Sequence, residues 1–157
     1  MHLTRLWLED FRNYITLDLE LDPGVTVLVG PNGAGKTNLV EAVVWLSDLG
    51  SFRTSGNEAL VRMGAERAIV RAEITDGERR LSIEAELPRR GRSRVLVNKQ
   101  RLQRARDLEA ALRVTVFSPE DLILVKGGPG ERRRYVDDAL AGAMPRADGV
   151  LRDIEKV

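Results

Sequence analysis

The sequence has no cysteine and a single histidine, His2. The first absence excludes disulfides and thiolate metal sites. The second leaves His2 without a partner at ligand spacing, so it reads as a solvated terminal residue. Long apolar runs are missing too. No stretch approaches the roughly 20 apolar residues of a membrane span, and the opening residues lack the charged-then-apolar layout of a signal peptide, so a cytoplasmic location with no membrane partner is the default expectation. Internal repeats and low-complexity segments are also absent. What is present is a 157-residue chain, 43% hydrophobic and 31% charged, which fits one soluble globular domain with a real core. The net charge of +1 conceals an asymmetry. Residues 1 to 88 carry 9 basic and 14 acidic side chains, net −5, while residues 89 to 157 carry 16 and 10, net +6. Contact with a polyanion, if any, belongs to the second half.

The stretch Gly30-Pro31-Asn32-Gly33-Ala34-Gly35-Lys36-Thr37 fills every position of the phosphate-binding P-loop pattern G-x-x-x-x-G-K-[ST]. The pattern needs a buried strand leading in and a helix leading out. Val25 to Val29 is a β-branched, apolar run behind the turn pair Pro23-Gly24 and reads as that strand. From Lys36 on, Leu39, Val43 and Leu46 fall at helical spacing, with Val40 and Val44 widening the stripe. Backbone N–H groups freed by the glycines would converge on phosphate oxygens at the positive end of the helix. Lys36 would meet the β- and γ-phosphates, and the Thr37 hydroxyl would ligate Mg²⁺.

Residues 3 to 9 and 15 to 21 alternate and read as strands with one wet face. Phe11-Arg12-Asn13-Tyr14 between them is too rich in bulky groups for a plain turn and is equally a hydrophobic plug. After the P-loop helix, Leu49 to Asn57 reads as a loop. Within it, Arg53 is within reach of a phosphate, although a solvated or salt-bridged arginine is the better reading of the residue alone. Two alternating runs, 67 to 74 and 79 to 87, flank Thr75-Asp76-Gly77-Glu78 as a hairpin, and Arg94 to Asn98 adds a third strand to an antiparallel layer.

Around that third strand, Arg89, Arg90, Arg92, Arg94, Lys99, Arg101, Arg104 and Arg106 occur without an acidic residue among them. Such a run suits either a salt-dependent contact with nucleic-acid phosphates or a solvated loop. No aromatic residue is interleaved, so it lacks the base-stacking part of a single-strand platform. Asp107 reads as the cap of a short helix through Leu112, followed by a strand from Val114 to Phe117. Glu120-Asp121 resembles an acidic pair for Mg²⁺ and water activation, but Ser118-Pro119-Glu120 is better read as a helix start. A further helix is expected from Glu131 to Ala143, opening on three arginines that oppose its dipole and so suggest a partner or an acidic neighbour. The tail from Val150 to Val157 is helical in composition.

Taken in order, several stretches resemble one family, the bacterial recombination mediator RecF, among the ABC-type ATPases related to SMC heads. Leu6 to Tyr14 is similar to its opening strand and F-R-N-Y link, Gly30 to Asn38 to its Walker A motif, and Ser51-Phe52-Arg53-Thr54 to the loop after the P-loop helix. Phe117 to Leu122, Leu124 to Gly127 and Arg132-Arg133-Arg134 are similar to its F-S-P-E-D-L, L-V-K-G and R-R-R elements. The likeness runs from residue 1 to about residue 140. It implies an α/β P-loop NTPase fold of ABC/SMC-head type with an antiparallel β layer beside the P-loop core. It also implies ATP and Mg²⁺ as cofactors, an ATP-driven homodimer, DNA as ligand and RecR and RecO as partners, in gap repair, replication maintenance and SOS induction. Gly30 to Thr37 would hold the triphosphate, Arg12 and Asn13 would lie near the nucleotide, and Arg53 would contact phosphate.

The departure from the family lies at the far end. Its members are roughly twice as long, and their second half carries the signature motif, the Walker B aspartate with its catalytic glutamate, and the switch residue, none of which is recognisable here. Residues 1 to 157 therefore read as the N-terminal portion of one ATPase domain, incomplete at the C-terminus and marginal or aggregation-prone alone, because the Walker A strand would lack its neighbour. An ATPase acting only as a full-length dimer competes with a nucleotide-gated DNA and protein binding module without significant hydrolysis. A P-loop kinase or GTPase is disfavoured because no guanine-reading N-K-x-D element is present and the F-R-N-Y stretch would be unexplained.

Overall fold

In the computed structural model, which describes residues 1–54, 56–103, 108, 112–117 and 127–143, the elements are strands β1 (His2–Phe11) and β2 (Tyr14–Glu20), helix α1 (Lys36–Asp48), strands β3 (Arg67–Asp76), β4 (Arg79–Pro88), β5 (Arg94–Val97) and β6 (Gln100–Arg101), and helix α2 (Pro129–Ala143). The chain divides into two compact units, residues 1–115 and 116–157.

The first unit is built on one antiparallel sheet, ordered β2-β1-β3-β4-β5-β6. Register explains its core. Leu6 lies opposite Ala72 and Leu8 opposite Val70, while Val70 and Ala72 face Ala85 and Ile83 on the other side. These residues therefore share one face, and all are buried. Leu39, Ala42, Trp45 and Leu46 of α1 belong to the same core cluster. Leu39, Val44 and Leu46 of the expected stripe are buried, but Val40 is exposed and Val43 only half-buried, whereas Trp45, outside the stripe, is 1% exposed. The large indole buries more apolar area than either valine and takes the central place.

The opposite face of the sheet is wet and laced with cross-strand ion pairs, as period-two alternation requires. Arg71 pairs with Glu84 at 2.7 Å and Arg67 with Glu86 at 3.2 Å. Arg5 reaches Asp18 at 2.8 Å and stacks 4.6 Å from the Trp7 ring centroid. The hydrogen bond from Arg5 holds the Asp18 carboxyl below its ordinary range and raises the Arg5 guanidinium.

The expected hairpin is present, closed by Gly77-Glu78, with Asp76 paired to Arg79 as the last rung. Gly77 has φ +61° and Glu78 does not share the sign, the pattern of a type II′ turn, which admits glycine first. The link between β1 and β2 differs from expectation. Phe11 is the plug, fully buried, but Phe11 pairs directly with Tyr14. Arg12-Asn13 is therefore a two-residue hairpin turn after all, at the cost of φ +53° for Arg12. Contacts beyond the turn hold that conformation: the Arg12 amide donates to Leu60 O at 2.7 Å, and the Arg62 amide to Asp10 O at 2.8 Å.

Two expected strands are not paired. Val25 to Val29 has no ladder partner, with Val25 and Val29 95% and 90% exposed and only Leu28 packing on the core. Val114 to Phe117 likewise forms no strand. A strand is stable only with a paired neighbour, and neither run joins the sheet among the described residues. Of the expected helix from Asp107 to Leu112, a bond from the Leu112 amide to Leu108 O remains within the described residues. Ser118 to Lys126, including Glu120-Asp121, and the tail from Val150 lie outside them. In the second unit, α2 starts two residues earlier than expected, with Pro129 in its first turn, where a missing N–H costs nothing.

Candidate nucleotide-binding site

The P-loop turns into α1 through Gly35, whose φ of 103° and ψ of 6° are left-handed. No side chain caps the helix there, and its first turn holds no acidic residue, so its leading N–H groups stay available to an anion. Gly35 is the one buried residue of the eight. A Cβ at this position would lie 2.7 Å from the Asn13 amide and 3.0 Å from Tyr14 Oη, so glycine is required on two counts, conformation and space. Lys36 folds its ammonium across the loop and donates to Gly30 O and Pro31 O, both at 2.8 Å. Thr37 is exposed at the start of the helix. A positive-φ glycine, an uncapped helix start and an ammonium spanning the loop suit a triphosphate, and the Thr37 hydroxyl suits an oxygen ligand for Mg²⁺.

Residues distant in sequence converge beside this loop. Asn13 Nδ2 donates to Ala34 O at 3.2 Å and Tyr14 Oη to Gly35 O at 3.2 Å, so the β1–β2 turn braces the P-loop directly. Asn38 Nδ2 donates to Asn13 Oδ1 at 2.9 Å, and Arg53 Nη1 donates to Asn38 Oδ1 at 3.0 Å. Of the site residues expected outside the P-loop, Asn13 touches it and Arg53 reaches the first turn of α1. Arg12 is committed elsewhere. Its Nε and Nη2 donate to Glu41 at 2.9 and 2.6 Å, and its Nη1 donates to Ala59 O at 2.7 Å.

Glu41 is the residue that reading the sequence missed. It is fully buried, and it also accepts from Ser51 Oγ and pairs with Arg53 at 3.6 Å. Its position four residues after Thr37, on the same side of the helix, was the available signal. Tyr14 and Asn38 were visible only as motif letters. The metal-ligand groupings that carboxylates, histidines and cysteines could form do not occur among the described residues.

The basic run divides by role. Arg89 donates to Arg62 O at 2.9 Å and Ala65 O at 3.1 Å, holding the loop before β3. Arg90, Arg92, Arg94, Lys99 and Arg101 are exposed and form no ion pair among the described residues. Arg104 and Arg106 lie outside them.

Comparison with known proteins agrees with this geometry. The family model of the RecF/RecN/SMC N-terminal domain matches residues 2–127. The chain belongs to that family. Within it, the chain is similar over its whole length to the DNA replication and repair protein RecF of Streptomyces avermitilis, 52% identical over 157 residues, and to that of Kineococcus radiotolerans, 50% identical. It spans 42% and 40% of those two proteins. Among solved structures, the recombination mediator protein RecF with ATP, of the RecFOR pathway, superposes with a TM-score of 0.87 at 30% identity, covering 99% of this chain and 43% of that one. An SMC ATPase structure, at TM-score 0.72 and 23% identity, covers 88% of this chain and 99% of the other and shares the fold. The architecture is therefore that of a RecF/SMC-type ATPase head, with its antiparallel layer beside the P-loop. No helix among the described residues is long and apolar enough to cross a membrane.

Proposed function

We propose that residues 1–157 form the nucleotide-binding lobe of a RecF-like ATPase head, which binds ATP and Mg²⁺ and serves recombinational DNA repair and replication. The observation that carries this reading is the brace of Asn13 and Tyr14 on Gly35, because it joins the F-R-N-Y turn to the P-loop in one site, a combination that a generic P-loop does not need. Gly30 to Thr37 would cradle the triphosphate, with Lys36 leaving the loop carbonyls for phosphate oxygens and Thr37 holding Mg²⁺. Arg53 would supply further positive charge and Asn13 would line the site, with Arg12 near the nucleotide but held behind it on Glu41 and Ala59 O. When bound, Mg²⁺–ATP would supply the phosphoanhydride for phosphoryl-transfer chemistry. Similarity to RecF extends the reading to an ATP-driven homodimer, to RecR and RecO, to gap repair and SOS induction, and to a cytoplasmic location.

DNA is the proposed macromolecular ligand, with the exposed cations from Arg90 to Arg101 as its electrostatic footing. The test of the nucleotide reading is direct binding of ATP by the full-length protein and by Lys36→Ala, which removes the phosphate-seeking ammonium and leaves the core intact. Loss of binding with an unchanged melting temperature is expected; retention of ATP binding would overturn the site. Comparing DNA affinity with ATP, with ADP and without nucleotide then decides on gating, which nucleotide-independent affinity would refute.

A further inference from the structure

We propose that Glu41 is a positioning residue for the nucleotide site, the buried counter-ion through which occupancy of the P-loop and placement of Arg53 are coupled. The inference rests on the nucleotide-binding reading and concerns how the surrounding residues respond. A fully buried carboxylate is costly unless paired and hydrogen-bonded, so its partners are chosen by the fold rather than by chance. Glu41 meets two cations with one negative charge, leaving a local excess of one positive charge beside the uncapped start of α1.

The two arginines are held differently. Arg12 spends Nε, Nη1 and Nη2 on Glu41 and Ala59 O, with Nη2 also reaching Thr54 Oγ1 at 3.5 Å, and is 16% exposed. It is locked. Arg53 is 38% exposed and engages through Nη1 alone, at 3.0 Å to Asn38 Oδ1 and 3.6 Å to Glu41 Oε2. The rest of its five-donor fork makes no hydrogen bond among the described residues. Its backbone is tied to the same carboxylate, because the amides of Arg53 and Thr54 donate to Ser51 Oγ at 3.0 and 3.2 Å, and that hydroxyl donates to Glu41.

A path of hydrogen bonds thus runs from Ala34 O in the P-loop through Asn13 and Asn38 to Arg53, and the 3.6 Å ion pair carries it on to Glu41. An anion in the P-loop competes for the unused face of Arg53, and any movement of that side chain is transmitted to residues 51–54 through the Ser51–Glu41 contact. Glu41 keeps this loop within reach of the phosphates and makes its order depend on them.

Hydrogen exchange of the full-length protein with and without ATP tests this. In the wild type, ATP is expected to protect residues 30–37 and to change exchange of residues 51–54 together. In Glu41→Gln the response at 30–37 is expected to remain while that at 51–54 is lost. Glu41→Gln is further expected to weaken ATP binding about tenfold, the scale of one charged hydrogen bond, but to add less than about twofold in an Arg53→Ala background, by the logic of a double-mutant cycle. A merely structural role for Glu41 would give equal losses in both backgrounds. Should Glu41→Gln fail to fold, Asn38→Ala interrupts the same path without touching the Arg12–Glu41 pair, and the 51–54 response is expected to vanish. Protection of 30–37 with residues 51–54 unchanged in the wild type, or equal losses in the cycle, would overturn the proposal. Absence of any protection at 30–37 would overturn the nucleotide reading with it.

Discussion

The side chain of Asn13 packs so closely on the α-carbon of Gly35 that a methyl group there would lie 2.7 Å from its amide atoms. Gly35→Ala therefore combines a left-handed φ, which costs an alanine roughly 1–2 kcal/mol, with a steric conflict. The substitution is expected to lower ATP affinity at least about tenfold and to lower the melting temperature. In an Asn13→Ala background the closer of the two conflicts disappears, Tyr14 Oη remaining at 3.0 Å, and some stability returns. Equal destabilisation in both backgrounds, measured by chemical denaturation, would show that the packing is not the cause.

Trp45 anchors α1 to the sheet. It is 1% exposed within a cluster that includes Leu6, Phe11 and Val70. Replacing it with alanine leaves a cavity that the surrounding strands cannot close, at a cost of about 3–5 kcal/mol. Val40→Ala, on the exposed side of the same helix, is expected to change stability by less than about 0.5 kcal/mol. Similar losses for the two, in urea titrations, would refute the assignment of the buried face.

The features legible in the sequence are those whose cause is local. The P-loop, the hairpin around Gly77 and the alternation of β3 and β4 each follow from neighbours a few residues apart. Val25 to Val29 shows the limit of that reading: its composition is right for a strand, but a strand needs a paired neighbour, and the run has none among the described residues. Glu41 escaped for a related reason. Its partners Arg12 and Ser51 lie 29 residues before and 10 after it, and only the packing of the β1–β2 turn against α1 brings them together. Arg89 was grouped with its basic neighbours by composition, whereas the fold spends it on two carbonyl oxygens.

The Arg5–Asp18 pair predicts a pH dependence on the outer face of the sheet. The hydrogen bond from Arg5 depresses the Asp18 carboxyl in the folded state. Its contribution to stability is therefore present above the unfolded carboxylate pKa of about 3.9 and is lost as pH falls through the lower folded value. Asp18→Asn is expected to be less stable than the wild type at neutral pH, with the difference shrinking in acid below about pH 4. A difference that stayed constant down to about pH 2 would mean that the pair contributes nothing through ionisation. Salt should narrow the gap as well, because both groups face solvent.

The basic surface gives a prediction that separates charge from structure. Arg92 and Lys99 are exposed without an ion-pair partner among the described residues, whereas Arg89 donates to Arg62 O and Ala65 O. Arg92→Glu with Lys99→Glu is expected to leave the melting temperature unchanged, to weaken DNA binding, and to flatten the dependence of log affinity on log salt by about 0.9 for each duplex phosphate no longer neutralised. Arg89→Ala is expected to do the reverse, lowering stability by about 1–3 kcal/mol as Ala65 O loses its bond from Arg89 and Arg62 O keeps only the one from the Ala65 amide, while leaving the salt slope nearly unchanged. If the double reversal left the slope untouched, the exposed cations would be a solvated surface and the DNA contact would have to lie elsewhere on the protein. If Arg89→Ala flattened the slope without loss of stability, its guanidinium would be leaving the carbonyls for a phosphate, and the division of the run into structural and binding residues would fail.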